Sequence, residues 1–252
     1  MLSLYSNLIS YWPLHEASGN RADLIGSNNA LTPTNTPSGG AGIIENSTVF
    51  ASASSQRLDI ASNATIQTGD VDFTFAFWVL LTSKPAAVMY NTIKYAATAG
   101  NAEYYGYWDN TVDRFKFVVN RATDVPQTAT ANSLGAPSTA TWYFICQWHD
   151  FNADTVNIEV NAGTTDSTAT GGALQAAGTA ALTMGGAATG GYLNGQMCEV
   201  ALWKRVLTRQ ERTWLYNNGE GRTFPFDRRL NTDTNLGRDL RGRRDRSAGM
   251  II

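Results

Sequence analysis

The 252-residue sequence predicts an all-β fold, an antiparallel two-sheet sandwich with one short helix near the C-terminus. Hydrophobic residues make up 43% of the chain and charged residues 16%, and 23 glycines lie among short apolar runs, a mixture that suits strands and turns. Several runs alternate apolar and polar residues with a period of two, which is typical of half-buried strands. A single segment carries the start and stop signals of a helix.

The alternating runs are separated by clusters of turn-forming residues. The clearest strands are predicted at 58–60, 73–79, 114–119, 143–148 and 156–160. Between them, clusters of Asn, Asp, Ala and Gly at 109–110, 152–154 and 161–163 favour chain reversal, because Asn, Asp and Gly tolerate positive φ or bond their own backbone. We therefore expect antiparallel hairpins throughout.

One hairpin is predicted in detail. Residues 104–108 form its first strand, Asp109 to Asp113 its turn, and residues 114–119 its return strand. In the return strand Phe115, Phe117 and Val119 share one face because side chains alternate along a strand. We expect that face to lie in the core.

The C-terminal part of the sequence divides at about residue 226. Thr208 and Glu211 have the spacing of a capping box, and Gly219 can end the helix that follows. Beyond Pro225 the apolar pattern stops. We predict one domain over residues 1–226 and an arginine-rich tail over 227–252 that is extended or disordered unless docked on a partner.

Charge and targeting signals narrow the function classes. The net charge of −2 argues against nucleic acid as a partner, although the tail carries seven arginines against four aspartates. The sequence contains no run of about 18 apolar residues, so it predicts no membrane span. The N-terminus lacks the basic start and apolar stretch of a secretory signal peptide. Two cysteines, Cys146 and Cys198, lie in strand-like runs, so a disulfide framework is not indicated.

Two end segments resemble a known family. Residues 8–23, with the pair Tyr11 and Trp12 followed by Pro-Leu, Glu16 and Gly19, are similar to the opening of bacterial and phage laminin-G-like jelly rolls of the concanavalin A-like lectin/glucanase family. Residues 192–208 and 215–219 resemble their closing strand and helix. The resemblance spans roughly residues 5 to 225 and implies a jelly-roll sandwich. Such modules serve as lectins, protein-binding domains, enzyme appendages and virion surface proteins, so the fold alone names no ligand.

The resemblance also bears on metals. Relatives often carry aspartates that hold a structural calcium, and here His15 and Cys198 occupy the corresponding positions. A thiol is a poor ligand for a hard cation that takes six to eight oxygens. We therefore predict no bound metal or cofactor, with Glu16, Asp23 and Glu199 left as partial calcium ligands. His15 and Cys198 are half of a zinc site only if the terminal strands are neighbours.

The sequence shows no catalytic constellation, so we predict that the chain is not an enzyme. Retaining glycosidases need two carboxylates about 5 Å apart. The acidic residues near strands are instead scattered singly, at Asp59, Asp72, Glu103, Asp109, Asp113, Asp150, Glu159 and Glu199. Only His15 and His149 are available for a nucleophile triad, and His149 is interpreted as an exposed strand end. A glycoside hydrolase remains the least favoured alternative.

Aromatic residues of the hairpin are the candidate ligand-binding residues. Sugar rings have apolar faces, and tyrosine and tryptophan offer flat surfaces with polar tips. The predicted set is Tyr104, Tyr105, Tyr107, Trp108, Asp109 and Asn110, with a glycan or cell-surface ligand as partner. The alternative, that two of the rings face the core and the others cover a neighbouring strand, stays open at this point.

The tail is predicted to dock on a protein partner. Its apolar end can add a short strand or plug to a neighbouring subunit. The candidate docking residues are Arg238, Arg241, Arg243, Arg244, Ile251 and Ile252. We expect a surface-displayed recognition module, a phage or viral virion decoration or fibre protein, with other virion or surface subunits, including copies of itself, as partners. The alternative is a bacterial extracellular carbohydrate-binding module.

Overall fold

The computed structural model describes residues 4–26, 28–96 and 102–226. Within these residues the strands are β1 (Leu8–Trp12), β2 (Thr32–Thr34), β3 (Ser38–Ala41), β4 (Asn46–Phe50), β5 (Arg57–Ile60), β6 (Phe73–Leu81), β7 (Met89–Tyr95), β8 (Ala102–Asp109), β9 (Arg114–Asn120), β10 (Pro126–Thr130), β11 (Trp142–Asp150), β12 (Thr155–Val160), β13 (Asp166–Ala169), β14 (Leu182–Met184) and β15 (Gly195–Trp203). One α-helix, α1 (Arg209–Tyr216), and two 3₁₀ turns, Ser52–Ser54 and Asn217–Gly219, complete the described elements.

The strands form two antiparallel sheets, which confirms the predicted fold class. The eight-stranded sheet has the order β13-β12-β11-β6-β15-β4-β3, with β1 also paired to β15. The seven-stranded sheet has the order β10-β9-β8-β7-β14-β5-β2. Side chains from the two inner faces interdigitate into one core, in which Phe75 of β6 and Phe117 of β9 are fully buried. The predicted core face of β9 is confirmed.

The outer face of the eight-stranded sheet is covered by a second hydrophobic cluster. It includes Trp78, Phe144 and Trp203 of the sheet and Leu215 of α1. The ring of Trp78 stacks on that of Tyr216 at 5.8 Å. This sheet therefore buries apolar residues on both faces.

Helix α1 begins as the sequence predicts. The hydroxyl of Thr208 accepts a hydrogen bond from the backbone of Glu211, and the Glu211 carboxylate accepts one from the backbone of Thr208. The helix ends at Tyr216, where Asn217 adopts the left-handed conformation. Arg212 fixes the helix to the sheet: its guanidinium lies 2.9 Å from a carboxylate oxygen of Glu159 and 4.3 Å from the Trp148 ring centroid.

The two ends of the described chain meet on this covered sheet. Strand β1 pairs antiparallel with β15, so the terminal strands are neighbours. Phe226 is 6% exposed and packs against Tyr11 and Trp203 at centroid distances of 5.5 and 6.3 Å. The tail over 227–252, with its six predicted docking residues, lies outside the described residues. Within the described part, no helix has the length and apolarity to cross a membrane.

Candidate functional site

Neighbouring residues of β8 point to opposite faces of the seven-stranded sheet. Tyr104 pairs with Val119 and Trp108 pairs with Phe115 in the β8–β9 register, and directly opposed residues share a face. Tyr104 is 0% exposed and Trp108 is 3% exposed, so both lie in the core. The prediction that these two rings are presented to a ligand is therefore wrong.

Tyr105 and Tyr107 lie on the outer face of the sheet, where they join two tyrosines of β7. The Tyr105 and Tyr107 centroids are 5.7 Å apart, and that of Tyr90 lies 6.0 Å from Tyr105 and 5.9 Å from Tyr107. Tyr95 is 5.6 Å from Tyr105 and is exposed, whereas the other three rings are half-buried. We call Tyr90, Tyr95, Tyr105 and Tyr107 the tyrosine surface.

Glycines and a bulge explain how this surface is built. Gly106 faces inwards between the two outward tyrosines of β8, and a Cβ there would collide with Asn91 Oδ1 and Gln147 Oε1. A register shift between Tyr90 and Thr92 marks a bulge at Asn91, which brings Tyr90 opposite Tyr107. Tyr90 also supports the loop that follows β14, because a Cβ on Gly191 would collide with its ring.

The phenol groups of Tyr90, Tyr105 and Tyr107 have raised pKa values and stay protonated near neutral pH. Burial, and then the neighbouring Tyr90 and Tyr95, raise the pKa of Tyr105 to about 12. Burial and neighbouring groups also raise the pKa of Tyr90 and of Tyr107. Each of these hydroxyls can therefore donate as well as accept a hydrogen bond.

A charged pair borders the tyrosine surface at the hairpin turn. Lys116 Nζ lies 2.7 Å from Asp109 Oδ2 and 6.0 Å from the centroid of Tyr107. Asp109 Oδ1 accepts hydrogen bonds from the backbone and hydroxyl of Thr111, at 2.7 and 2.6 Å. Asn110 is half-buried within the turn. Asp109 therefore has protein partners on both carboxylate oxygens.

His15 pairs with two carboxylates at the eight-stranded sheet, those of Glu45 and Glu199. Its Nε2 lies 2.6 Å from Glu199 Oε1 and its Nδ1 lies 3.1 Å from Glu45 Oε2. Burial lowers the pKa of His15, and burial raises that of Glu199 to about 8 against a hydrogen bond from Thr223. Cys198 is a buried free thiol. Among residues 4–26, 28–96 and 102–226, no three His, Cys, Asp or Glu side chains are grouped as metal ligands.

The expectation that His149 is an exposed strand end is wrong. This residue is 1% exposed, and its Nδ1 lies 3.0 Å from the Val71 carbonyl oxygen, so it is a buried residue and not an exposed strand end. The neighbouring Asp150 accepts a hydrogen bond from the backbone of Ala153. Asp150 thus shapes the turn between β11 and β12, whereas His149 links the end of β11 to the segment before β6.

Comparison with family models agrees with this architecture. The laminin G model of the concanavalin A-like lectin/glucanases superfamily matches residues 52–211, which is more than half of the chain. The chain belongs to this superfamily. No curated protein matches it in sequence.

Solved structures with this superfamily fold share little sequence with the chain. The binding domain of Paraclostridial Mosquitocidal Protein 1 aligns at a TM-score of 0.67 and 14% identity, over 84% of this chain and 52% of that one. A second similar structure is domain 4 of AbnA, a GH43 extracellular arabinanase from Geobacillus stearothermophilus, solved with arabinotriose. It aligns at a TM-score of 0.62 and 12% identity, over 82% of this chain and 97% of that one.

A third similar structure is the ligand binding domain of botulinum neurotoxin serotype D in complex with N-acetylneuraminic acid. It aligns at a TM-score of 0.63 and 9% identity, over 84% of this chain and 50% of that one. This chain thus spans about half the length of both toxin domains. The fold is that of lectin-like binding domains.

Proposed function

We propose that this chain is a non-catalytic recognition module that binds saccharides through the tyrosine surface. The observation that carries the proposal is the cluster of four tyrosines on the outer face of the seven-stranded sheet, with ring centroids 5.6 to 6.0 Å apart. On the other sheet, within the described part of the chain, α1 and the segment up to Phe226 cover the outer face of the central strands.

The chemistry of these rings suits a sugar. A pyranose or furanose ring presents C–H groups that pack on an aromatic face, while its hydroxyls need hydrogen-bonding partners around that face. Tyrosine supplies both, and it loses little conformational entropy on binding because it has only two rotatable side-chain torsions. Three of the four rings are already half-buried and held by their neighbours, so little ordering remains for the ligand to impose.

Three of the acidic residues near the strands have structural partners, which supports a non-catalytic role. Asp59 accepts hydrogen bonds from Arg57 and Thr34, and Asp72 accepts one from the backbone of Phe151. Glu159 is bound to Arg212. A catalytic acid and base must face a substrate across a shared site, whereas these carboxylates are held by structural partners.

Saccharide binding is tested by calorimetry on the full chain. The titrants are arabinotriose, cellotetraose, xylotetraose and N-acetyllactosamine, and we expect at least one to bind with a dissociation constant in the micromolar to millimolar range. Tyr105→Ala and Tyr107→Ala should each weaken that binding by about tenfold, the value of one aromatic contact. Tyr5→Ala is the matched control, because Tyr5 is exposed beside Phe224 and Phe226, near the covered sheet.

Two results would remove the proposal. One is the absence of binding to every titrant at about 10 millimolar, which lies above the expected range of dissociation constants. The other is binding that Tyr105→Ala and Tyr107→Ala leave intact, since the ligand would then occupy another face.

We further propose that the module is displayed on a virion or other extracellular surface through residues 227–252. The support is the sequence of this tail, which combines seven arginines with an apolar end, Met250 to Ile252. A chain shortened to 1–226 should keep the jelly-roll fold, because Phe226 completes the covered face. The full chain should form assemblies that the shortened chain does not form, as measured by light scattering. A monomeric mass for both chains would contradict the docking role of the tail.

The alternative is a carbohydrate-binding module attached to an extracellular enzyme. It is favoured by the likeness to domain 4 of the arabinanase AbnA, of which this chain covers 97%. In that case the full chain should be a monomer that binds polysaccharide, and its tail should be dispensable.

A further inference from the structure

Two cations on the outer face of the seven-stranded sheet are paired with carboxylates of the protein. Lys116 is paired with Asp109 beside Tyr107, and Arg57 is paired with Asp59 on β5, at 2.7 Å in each case. Arg114, at the hairpin turn, donates to the carbonyl oxygens of Val112 and Asp113. The cation nearest the tyrosine surface thus already has a carboxylate partner.

Asp109 is well fixed in this role. Burial opposes its ionisation, but hydrogen bonds from Lys116 and Thr111 outweigh that effect and lower the pKa of Asp109 to about 2. The carboxylate is therefore ionised at neutral pH. Its second oxygen is held by the backbone and hydroxyl of Thr111, so it cannot swing away from Lys116 without losing those bonds.

The pair of Asp109 and Lys116 disfavours a negatively charged ligand. A sugar carboxylate is recognised by a cation that is free to form a charge-assisted hydrogen bond. At the tyrosine surface an incoming carboxylate would have to compete with Asp109 for Lys116, and it would be desolvated next to a like charge. A neutral saccharide meets neither cost.

We propose that the tyrosine surface selects neutral saccharides and that Asp109 is the residue that excludes acidic ones. This inference rests on the proposed function and adds the ligand class to it. Asp109 acts as a specificity-determining residue through Lys116, not as a catalytic group. Removal of its charge should free Lys116 and convert the surface into one that accepts a carboxylated sugar.

Asp109→Asn is a conservative test, because the amide oxygen can still accept the two bonds from Thr111. The probes are neutral arabinotriose and cellotetraose and acidic trigalacturonic acid and N-acetylneuraminic acid, titrated into the full chain by calorimetry. For the native chain we expect binding to a neutral probe and at least tenfold weaker binding to both acidic probes. For Asp109→Asn we expect at least a tenfold gain for an acidic probe that declines with added salt.

Two further variants control the interpretation. Asp109→Asn combined with Lys116→Gln should lose the acquired binding of acidic probes, since the freed cation is then absent. Asp113→Asn makes the same change of charge at the hairpin turn, where Asp113 pairs with Lys84 and with the Trp108 indole, and it should leave the preference unchanged.

The outcomes separate this inference from the proposed function. If the native chain binds an acidic probe as well as a neutral one, and Tyr105→Ala abolishes both, the saccharide site stands and the neutral preference is wrong. If Asp109→Asn does not change the ratio of acidic to neutral affinity, the role of Asp109 is wrong. If no probe binds the native chain, the proposed function and this inference both fail.

Discussion

Tyr104 and Tyr105 are adjacent in sequence, but their side chains lie on opposite faces of β8. The Tyr104 ring is fully buried in the core, 5.1 Å from that of Phe73, whereas the Tyr105 ring belongs to the tyrosine surface. One strand therefore supplies both the core and the candidate binding face. This division leads to separable effects on stability and binding.

The first prediction compares alanine substitutions at these two tyrosines. Tyr104→Ala should lower the free energy of unfolding by about 3–5 kcal/mol, because it leaves a cavity in the core. Tyr105→Ala should cost at most about 1 kcal/mol, since its ring is half exposed and leaves no enclosed void. Urea unfolding followed by tryptophan fluorescence measures both. Equal losses would contradict the assignment of the two faces.

A second prediction concerns the attachment of α1 to the eight-stranded sheet. Arg212→Ala should destabilise the fold by about 3–5 kcal/mol, because Glu159 is left buried and unpaired. Arg209→Ala removes the same charge from an exposed position of the same helix and should change stability by less than about 0.5 kcal/mol. Thermal unfolding of the two variants is the measurement. An Arg212→Ala variant as stable as the native chain would show that the buried ion pair with Glu159 is dispensable.

The third prediction is a pH dependence at Glu199, which faces His15 and Thr223, with Glu45 on the far side of the imidazole. Burial raises the pKa of Glu199 from 4.5 to about 8, so its folded state retains a proton that the unfolded chain has lost. This contribution to stability is complete below about pH 4.5 and is lost as the pH rises to 8. His15 has the opposite dependence, with its contribution lost below its ordinary value of 6.5.

Between pH 6.5 and 8, Glu199 therefore changes the stability of the fold without a contribution from His15. Native stability should fall there by about 2 kcal/mol, from 1.36 kcal/mol per pKa unit. Glu199→Gln should flatten the curve, whereas Glu220→Gln, at an exposed position, should leave it unchanged. A native curve that is level between these pH values would show that Glu199 is ionised throughout.

Much of the fold could be predicted from the sequence because its signals are local. The alternation in β6, β9 and β11 and the capping box at Thr208 each depend on a few neighbouring residues, and the structure contains all of them. The family resemblance added the jelly-roll architecture, whereas the pairing of β1 with β15 was left open. His149 was misjudged because its hydrogen-bond partner, Val71, is distant in sequence.

The candidate site was harder to predict because it depends on register. The hairpin turn and the core face of β9 together require Tyr104 and Trp108 to face inwards, since they oppose Val119 and Phe115. Tyr90 was missed for a different reason. The bulge at Asn91 breaks the alternation along β7, and the pairing of β7 with β8 cannot be read from local pattern.

The central claim is that saccharides bind at the tyrosine surface, and ring NMR signals test it most directly. The full chain, carrying isotope-labelled tyrosine, is titrated with the tightest-binding neutral oligosaccharide. We predict shifts of the Tyr90, Tyr105 and Tyr107 ring signals that saturate together with the calorimetric binding curve, and an unmoved Tyr216, which packs on the covered sheet. Saturable binding that shifts Tyr216 or Tyr5 and leaves these three rings unmoved would contradict the claim.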